Sequence, residues 1–268
     1  TPVADAWGTA TISVTVEDGG LDADLGTAAD NATLVRTFDV TVDPSGDRPT
    51  LDAIADATLD EDDGQQVVQL TGITAGVGET QPLRGTAVSD TPGLIPDPAV
   101  TYTSDQSTGS LAYTPVADAS GTATVTVSVE DGGLDADLDT AADNGTLVRT
   151  FVVTVNPVND LPTLAAISDT TIDEDASEQT VSLSGIAAGG GESQALRVTA
   201  VSDTPGLVPD PTASYTTAQS IGSLAFTPVA DAFGTATITV SVEDGGLDDD
   251  LGTAADNATF SRTFDVTV

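Results

Sequence analysis

The sequence repeats itself with a period of 113 residues. The segment Thr1-Pro-Val-Ala-Asp-Ala-Trp7 returns with one change at Thr114–Ser120 and again at Thr227–Phe233. Residues 1–42 and 114–155 agree at 35 of 42 positions without a gap. The layout is therefore a piece at 1–42, matching only the last part of a unit, followed by full units at 43–155 and 156–268. A period of this size is much longer than a solenoid repeat and suits a module that buries its own core. Separate beads are expected rather than one stacked core. The opening in mid-unit, the end at a unit boundary and the absent initiator Met lead us to expect a piece of a longer array.

Within each unit the apolar residues alternate with period two. Thr9–Val16 places Ala10, Ile12, Val14 and Val16 on one face, and Thr37–Val42 does the same with Phe38, Val40 and Val42. Further strands are expected at Thr163–Ile167, Thr180–Ile186, Leu196–Val201, near Ala213–Thr217, and at Ser223–Thr227. Seven short strands separated by Gly, Pro and Asp turns, without helical periodicity, describe tandem all-β, seven-stranded antiparallel sandwiches of immunoglobulin type in an extended array. The missing Cys pair rules out an antibody-type domain. A fragment beginning at the sixth strand would leave its Phe38/Val40 face uncovered.

Composition narrows the chemistry. Asp and Glu number 43 against six Arg, for a net charge of −37, and there is no Lys, His, Cys or Met. Disulfides, thiolate or imidazole metal sites and His-dependent nucleophilic catalysis are excluded. So is a basic nucleic-acid face. No apolar run reaches the length of a membrane span, and no signal peptide is visible. A carboxylate-only active site is conceivable. However, the acids recur in every unit, in loops, so we expect no enzyme.

At the unit boundary, Val155-Asn-Pro-Val-Asn-Asp-Leu-Pro162 resembles the linker of bacterial cadherin-like and immunoglobulin-like tandem repeats. Asp173-Glu-Asp175, Pro228-Val-Ala-Asp231 and Val242-Glu-Asp-Gly-Gly246 are similar to the same repeats. The resemblance covers the whole chain. It implies very large secreted or surface-attached proteins, many of them adhesins, and hence an extracellular or cell-surface location with calcium at domain junctions.

The residues point to calcium on their own. In a seven-stranded sandwich the loops after the first, third and fifth strands lie at the C-terminal pole, and the others at the N-terminal pole. The first of these loops carries Asp60, Glu61 and Asp62, matched by Asp173, Glu174 and Asp175. The loop after the fifth strand carries Asp5, Asp118 and Asp231. The linkers carry Asp43 and Asp47 at one junction, and Asn156, Asn159 and Asp160 at the other. From the facing pole come Glu79 or Glu192, and the long last loop with Asp131, Asp135 and Asp137, or Asp244, Asp248, Asp249 and Asp250. Calcium takes six to eight oxygens. Without a cation, two carboxylates at ~4 Å repel by about 4 kcal/mol at an effective dielectric of 20. At the first junction Gly46 replaces Asn159 and Arg48 replaces Leu161, which puts its ligand set in question.

Other readings stay open beside this one. The acid is also compatible with a salt-adapted surface without specific metal, and the loops with a glycan- or protein-binding module. The last loop (244–257) is too long for an ordinary hairpin and too polar to be ordered by packing, so metal or a neighbouring domain is expected to order it. Asp135, Asp137 and Asp139 alternate as in an EF-hand, but no Glu stands at the twelfth position. Asp90, Asp97, Asp203 and Asp210 flank turns and are expected to serve them. The Arg residues are expected to pair with neighbouring acids. Asn31, Asn144 and Asn257 lie in glycosylation sequons. Trp7, Ser120 and Phe233 occupy one position. A Trp-to-Ser change in a packed core costs roughly 3–5 kcal/mol, so the position is expected at the periphery, at a junction or lateral contact. Partners are expected to be neighbouring repeats and, in a fibre, identical chains.

Overall fold

The computed structural model describes residues 1–26 and 29–268. Strands β1 (Gly8–Glu17) and β2 (Thr33–Val42) form an antiparallel hairpin paired from Gly8↔Val42 to Glu17↔Thr33. The next seven strands are β3 (Ala57–Asp60), β4 (Gln66–Thr71), β5 (Leu83–Ser89), β6 (Ala99–Thr101), β7 (Thr108–Tyr113), β8 (Gly121–Asp131) and β9 (Thr146–Asn156). They make one sheet of order β3-β9-β8-β5 and a second of order β4-β7-β6. The pattern recurs in β10 (Thr170–Thr171), β11 (Gln179–Ser184), β12 (Leu196–Ser202), β13 (Thr212–Ser214), β14 (Ile221–Phe226), β15 (Thr235–Asp244) and β16 (Thr259–Thr267). Their sheets are β10-β16-β15-β12 and β11-β14-β13. The fold is an all-β sandwich of immunoglobulin/cadherin type, built twice, with a third hairpin ahead of it.

The first strand differs from expectation. Thr163 contributes only an isolated bridge to Ala187, and the chain then crosses to the other sheet, where β10 runs parallel to β16. Arg262 helps to hold this crossing: its Nε donates to the Leu164 carbonyl at 3.1 Å, as Arg149 Nε does to Leu51. These two arginines therefore serve backbone carbonyls rather than acids, whereas Arg84 and Arg197 pair with Glu130 and Glu243.

Alternation along β8 and β9 sends Val125, Val127, Val129, Phe151, Val153 and Val155 into the core against Leu70, Ile95 and Leu111 of the facing layer. Among the described residues, no second layer covers the equivalent face of the opening hairpin. Phe38 is 55 % exposed where Phe151 is 1 % exposed. Sequence periodicity produces the same strands in both places, but burial requires the facing sheet. Trp7 and Phe233, 73 % and 82 % exposed, lie at the periphery as expected. The turn acids behave as expected too: Asp97 Oδ1 accepts from Ser89 N at 2.8 Å, and Asp90 Oδ1 from Thr124 N at 2.8 Å. No helix among the described residues is long and apolar enough to cross a membrane.

Candidate metal centre

The second junction gathers carboxylates from four chain segments. Glu61 and Asp62 follow β3, Asp118 precedes β8, Asp160 lies in the linker, and Glu192 lies between β11 and β12. Carboxylate oxygens of Glu61, Asp160 and Glu192 lie within 4.8 Å of one another, and so do those of Asp62, Asp118 and Asp160. Asp160 belongs to both triads and joins them into one centre. Among the described residues, no other three carboxylates come this close.

Local backbone chemistry places each group. Asp62 and Asp118 adopt left-handed conformations, φ 67° and 57°, which Asp tolerates better than most residues. Asp118 N donates to Asp62 Oδ1 at 3.3 Å, tying the two loops together. Val158 N donates to Glu61 Oε1 at 2.8 Å, so the linker folds over Glu61 and leaves it 5 % exposed. Asp160 N donates to Glu192 Oε2 at 3.2 Å. Gly190, at φ +33°, lies so close to Asp160 that a Cβ there would fall 1.7 Å from Asp160 Oδ2 and 3.1 Å from Asp118 Oδ1.

The electrostatics are those of an uncompensated anionic cluster. Burial pushes the Asp160 carboxyl above the usual carboxylate range, and the charges of Asp62, Asp118 and Glu61 push it the same way. Burial also raises Glu192. The hydrogen bond from Asp160 N opposes that rise, and the charges of Asp160 and Glu61 add to it. Asp160 Oδ2 is buried without a hydrogen-bond partner. A buried, unpaired carboxylate oxygen is costly, and this one faces other acids, so a bound proton or a cation relieves it. Hard oxygens in this number fit calcium.

A further oxygen of the same kind lies beside the linker. Asp244, at the end of β15, is 0 % exposed. Its Oδ1 accepts from Gly246 N at 3.0 Å, Ala258 N at 2.8 Å and Asn159 Nδ2 at 3.1 Å, while its Oδ2 has no partner. Asn159 also donates to the Asp256 carbonyl at 3.0 Å and accepts from Gln194 at 2.7 Å, anchoring the linker to its own repeat. Asp131 repeats the arrangement at the end of β8, with Oδ1 bonded to Gly133 N and Gly145 N and Oδ2 buried and unpaired. There Gly46 stands in for Asn159 and supplies no side chain.

Other predicted residues fall elsewhere. Asp60 accepts from Asn156 Nδ2 at 3.0 Å at the start of the linker. Asp5, Asp43, Asp47 and Glu79 line one cleft of about 610 Å³ at the first junction. Asp47 N donates to Glu79 Oε1 at 3.0 Å, but no triad closes there. Asp173, Glu174, Asp175 and Asp231 occupy the C-terminal pole of the last repeat, with Asp231 N on Asp175 Oδ1 at 3.1 Å. The same two loops meet here as at Asp62 and Asp118.

The long loops carry hydrogen bonds of their own. Asp135 Oδ1 accepts from Asp137 N, Asp137 Oδ1 from Asp139 N, Asp248 Oδ1 from Asp250 N, and Asp250 Oδ1 from Gly252 N, all at 2.8–3.0 Å. Each bond closes an Asx turn and occupies one oxygen of its carboxylate. Asp249 Oδ1 accepts from Ala195 N. Asn31 and Asn257 turn toward Glu17 and Glu243 at 3.2 and 3.5 Å, and Asn144 occupies the same place beside Glu130.

Gly190 is absent from the sequence-based candidates, although its signal was readable: the equivalent position in the preceding repeat is Val77.

No family model matches the chain, and no curated protein does. Solved structures similar to it include human CDH23 EC21-23, with 13 % identity over 89 % of this chain and 68 % of that one at a TM-score of 0.44. Protocadherin Gamma C5 EC1-3 is 10 % identical over 96 % and 77 %, with a TM-score of 0.41. The human Desmocollin-1 ectodomain is 12 % identical over 97 % and 46 %, with a TM-score of 0.42. At these scores the likeness adds nothing to the strand order described above.

Proposed function

We propose that the chain is a structural segment of an extracellular or cell-surface array, with its units at 43–155 and 156–268 and the end of another at 1–42. Calcium at the junction fastens one unit to the next. The array serves either as a filament or as the extender of a surface adhesin. The observation that carries this reading is Asp160: one linker carboxylate, with a buried unpaired oxygen, shared by two triads drawn from both flanking repeats. A divalent ion there converts mutual repulsion into a bond between modules. Glu61, Asp62 and Asp118 would hold it from one side, and Glu192 from the other. Asp244 and Asn159 extend the donor set toward the second repeat.

The reading is mechanical and involves no reaction. A Pro-containing linker without the ion bends. With the ion it keeps the sandwiches in line, each adding about 35–45 Å from strands of roughly ten residues. Small-angle scattering of the intact chain in calcium and in chelator checks this, with magnesium as the control for general screening. A maximum dimension that rises and sharpens in calcium alone supports the proposal. A profile unchanged by calcium refutes it.

A further inference from the structure

The outer face of the four-stranded sheet in the repeat at 43–155 is uncharged at its centre. Alternation turns Val125, Val127, Phe151 and Val153 inward, so the residues between them face out. Two cross-strand rows make up the middle of that face: Thr86, Ser128 and Val148, then Val88, Thr126 and Thr150. Thr124 and Val152 begin a third row. Val88, Val148 and Val152 are 55, 50 and 37 % exposed. Charge enters at the margins. The Arg84–Glu130 pair lies at one end, and Asp90 and Asp56 border the other, accepting from Thr124 N and Val152 N at 2.8 Å. A face of methyls and hydroxyls is unexpected in a chain of net charge −37.

The matching positions elsewhere in the chain are more polar. Asp39 and Asp265 stand where this repeat has Val152. Each accepts a threonine hydroxyl across its ladder, from Thr11 at 2.7 Å and from Thr237 at 2.8 Å. Ser261 stands in the place of Val148 and pairs with Ser241 at 2.8 Å. Valine at both places removes an acid and a hydroxyl pair and turns methyl groups toward water. Such methyls stabilise nothing until another surface covers them.

Resting on the filament reading above but not on its metal, we propose that this face, centred on Val88, Thr126, Val148 and Val152, is where a second copy of the chain packs sheet to sheet. Charge selects the occupant. Two chains of this net charge repel wherever their acidic loops approach, and here they meet without setting acid against acid. The chemistry is also self-complementary. Methyls pack on methyls, and a hydroxyl both donates and accepts, so one patch serves both copies about a two-fold axis. Size sets the strength. Three strands over about seven residues cover on the order of 300 Å², well below the roughly 800 Å² per partner of a stable complex. The contact is therefore weak between free chains and suits chains held side by side in a bundle, where local concentration is high.

Sedimentation velocity of the intact chain over a concentration series tests this, with chelator throughout, in low salt and in about 1 M salt, where the screening length is ~3 Å. The sedimentation coefficient is expected to rise with concentration in high salt and to stay flat in low salt. Val152→Asp imports the residue of the other two copies, which the fold accommodates at Asp265. It enters a two-fold contact twice and is expected to weaken association about tenfold or more. Val67→Asp places the same charge on an exposed position of the opposite sheet and is expected to stay within about threefold of the parent. Association that survives Val152→Asp, or falls equally in both variants, overturns this face and leaves the filament reading standing. Association that weakens with salt overturns it too. A parent that never associates overturns the inference together with the filament reading and leaves the extender. Chelator keeps calcium out of every arm, so each of these results is separate from a failure of the calcium reading.

Discussion

The two junctions are assembled from equivalent parts, with Asp5 matching Asp118, Asp47 matching Asp160 and Glu79 matching Glu192. At both, the linker Asp backbone donates to the facing Glu, at 3.0 and 3.2 Å. Among the described residues, triads close at the second. There Glu61 and Asp62 contribute from the preceding repeat, Asn159 pins the linker, and Gly190 lets the loop come close; the positions that match Glu61 and Asp62 at the first junction fall before residue 1. The residues that both junctions have differ in the linker, where Gly46 stands against Asn159, and in the loop, where Val77 stands against Gly190.

The largest effect that separates the junctions is expected from one substitution made at both. Asp118→Asn keeps size and tolerates the left-handed backbone, and it should lower calcium affinity at least tenfold. Asp5→Asn should leave affinity unchanged. Parallel calorimetric titrations check the pair, and an equal loss in both would erase the distinction.

The linker anchor gives the next contrast. Asn159→Gly imports the residue of the first junction and removes the donor to Asp244, a hydrogen bond to a carboxylate worth about 1.5–3 kcal/mol. Chelated samples should show faster amide exchange through residues 157–161, together with a lower melting temperature for the second repeat. Gly46→Asn should slow exchange at 44–48 by offering Asp131 the same donor. Exchange that is the same in all three chains would mean that Asn159 anchors nothing.

Acidity sharpens the comparison further. Asp160 and Glu192 are held above their unfolded values, so the folded, metal-free junction binds protons more tightly than the unfolded chain does. Their contribution to stability is complete below the unfolded carboxylate values, near ~4, and is lost as the pH rises through the raised folded values. Calcium competes for the same oxygens, so its stabilising effect should grow across that window. Thermal melts from pH 3.5 to 7, with chelator and with calcium, read both trends. A calcium effect independent of pH would contradict the shared site.

The smallest effect should lie away from both junctions. Glu130 is held below the usual range chiefly by its hydrogen bond with Arg84, against a smaller opposing effect of burial. The pair lies at the surface, so Arg84→Gln should lower the melting temperature only slightly. That loss should appear above the Glu130 titration, fade as the pH falls through it, and leave calcium binding untouched.

Much of the architecture was legible because strand alternation is local. Thr9–Val16 and Thr37–Val42 read as strands from their period alone, and the pole on which each loop lies follows from strand order. The split first strand was not legible, because the crossing from Thr163 to β10 depends on pairing with Ala187 and β16, both distant in sequence. At the site, Glu61, Asp62, Asp118 and Asp160 were recognisable as loop acids that converge. What the sequence does not reveal is which acids are already bonded to backbone. Asp135 and Asp137 read like ligands, and each also closes a turn inside its own loop. Glu79 and Glu192 read as equivalent offers from the facing pole, and Glu192 is the one that joins a triad. Asp244 reads as one acid among several in its loop, and only its burial and its unpaired Oδ2 distinguish it.

Calcium titration of the intact chain beside Asp160→Asn, at near-neutral pH with magnesium as competitor, tests the central claim most directly. That substitution keeps the shape of the linker while removing the charge common to both triads. The account predicts saturable calcium binding by the parent, resistant to magnesium and weakened at least tenfold in the variant. Identical isotherms for the two chains would contradict it.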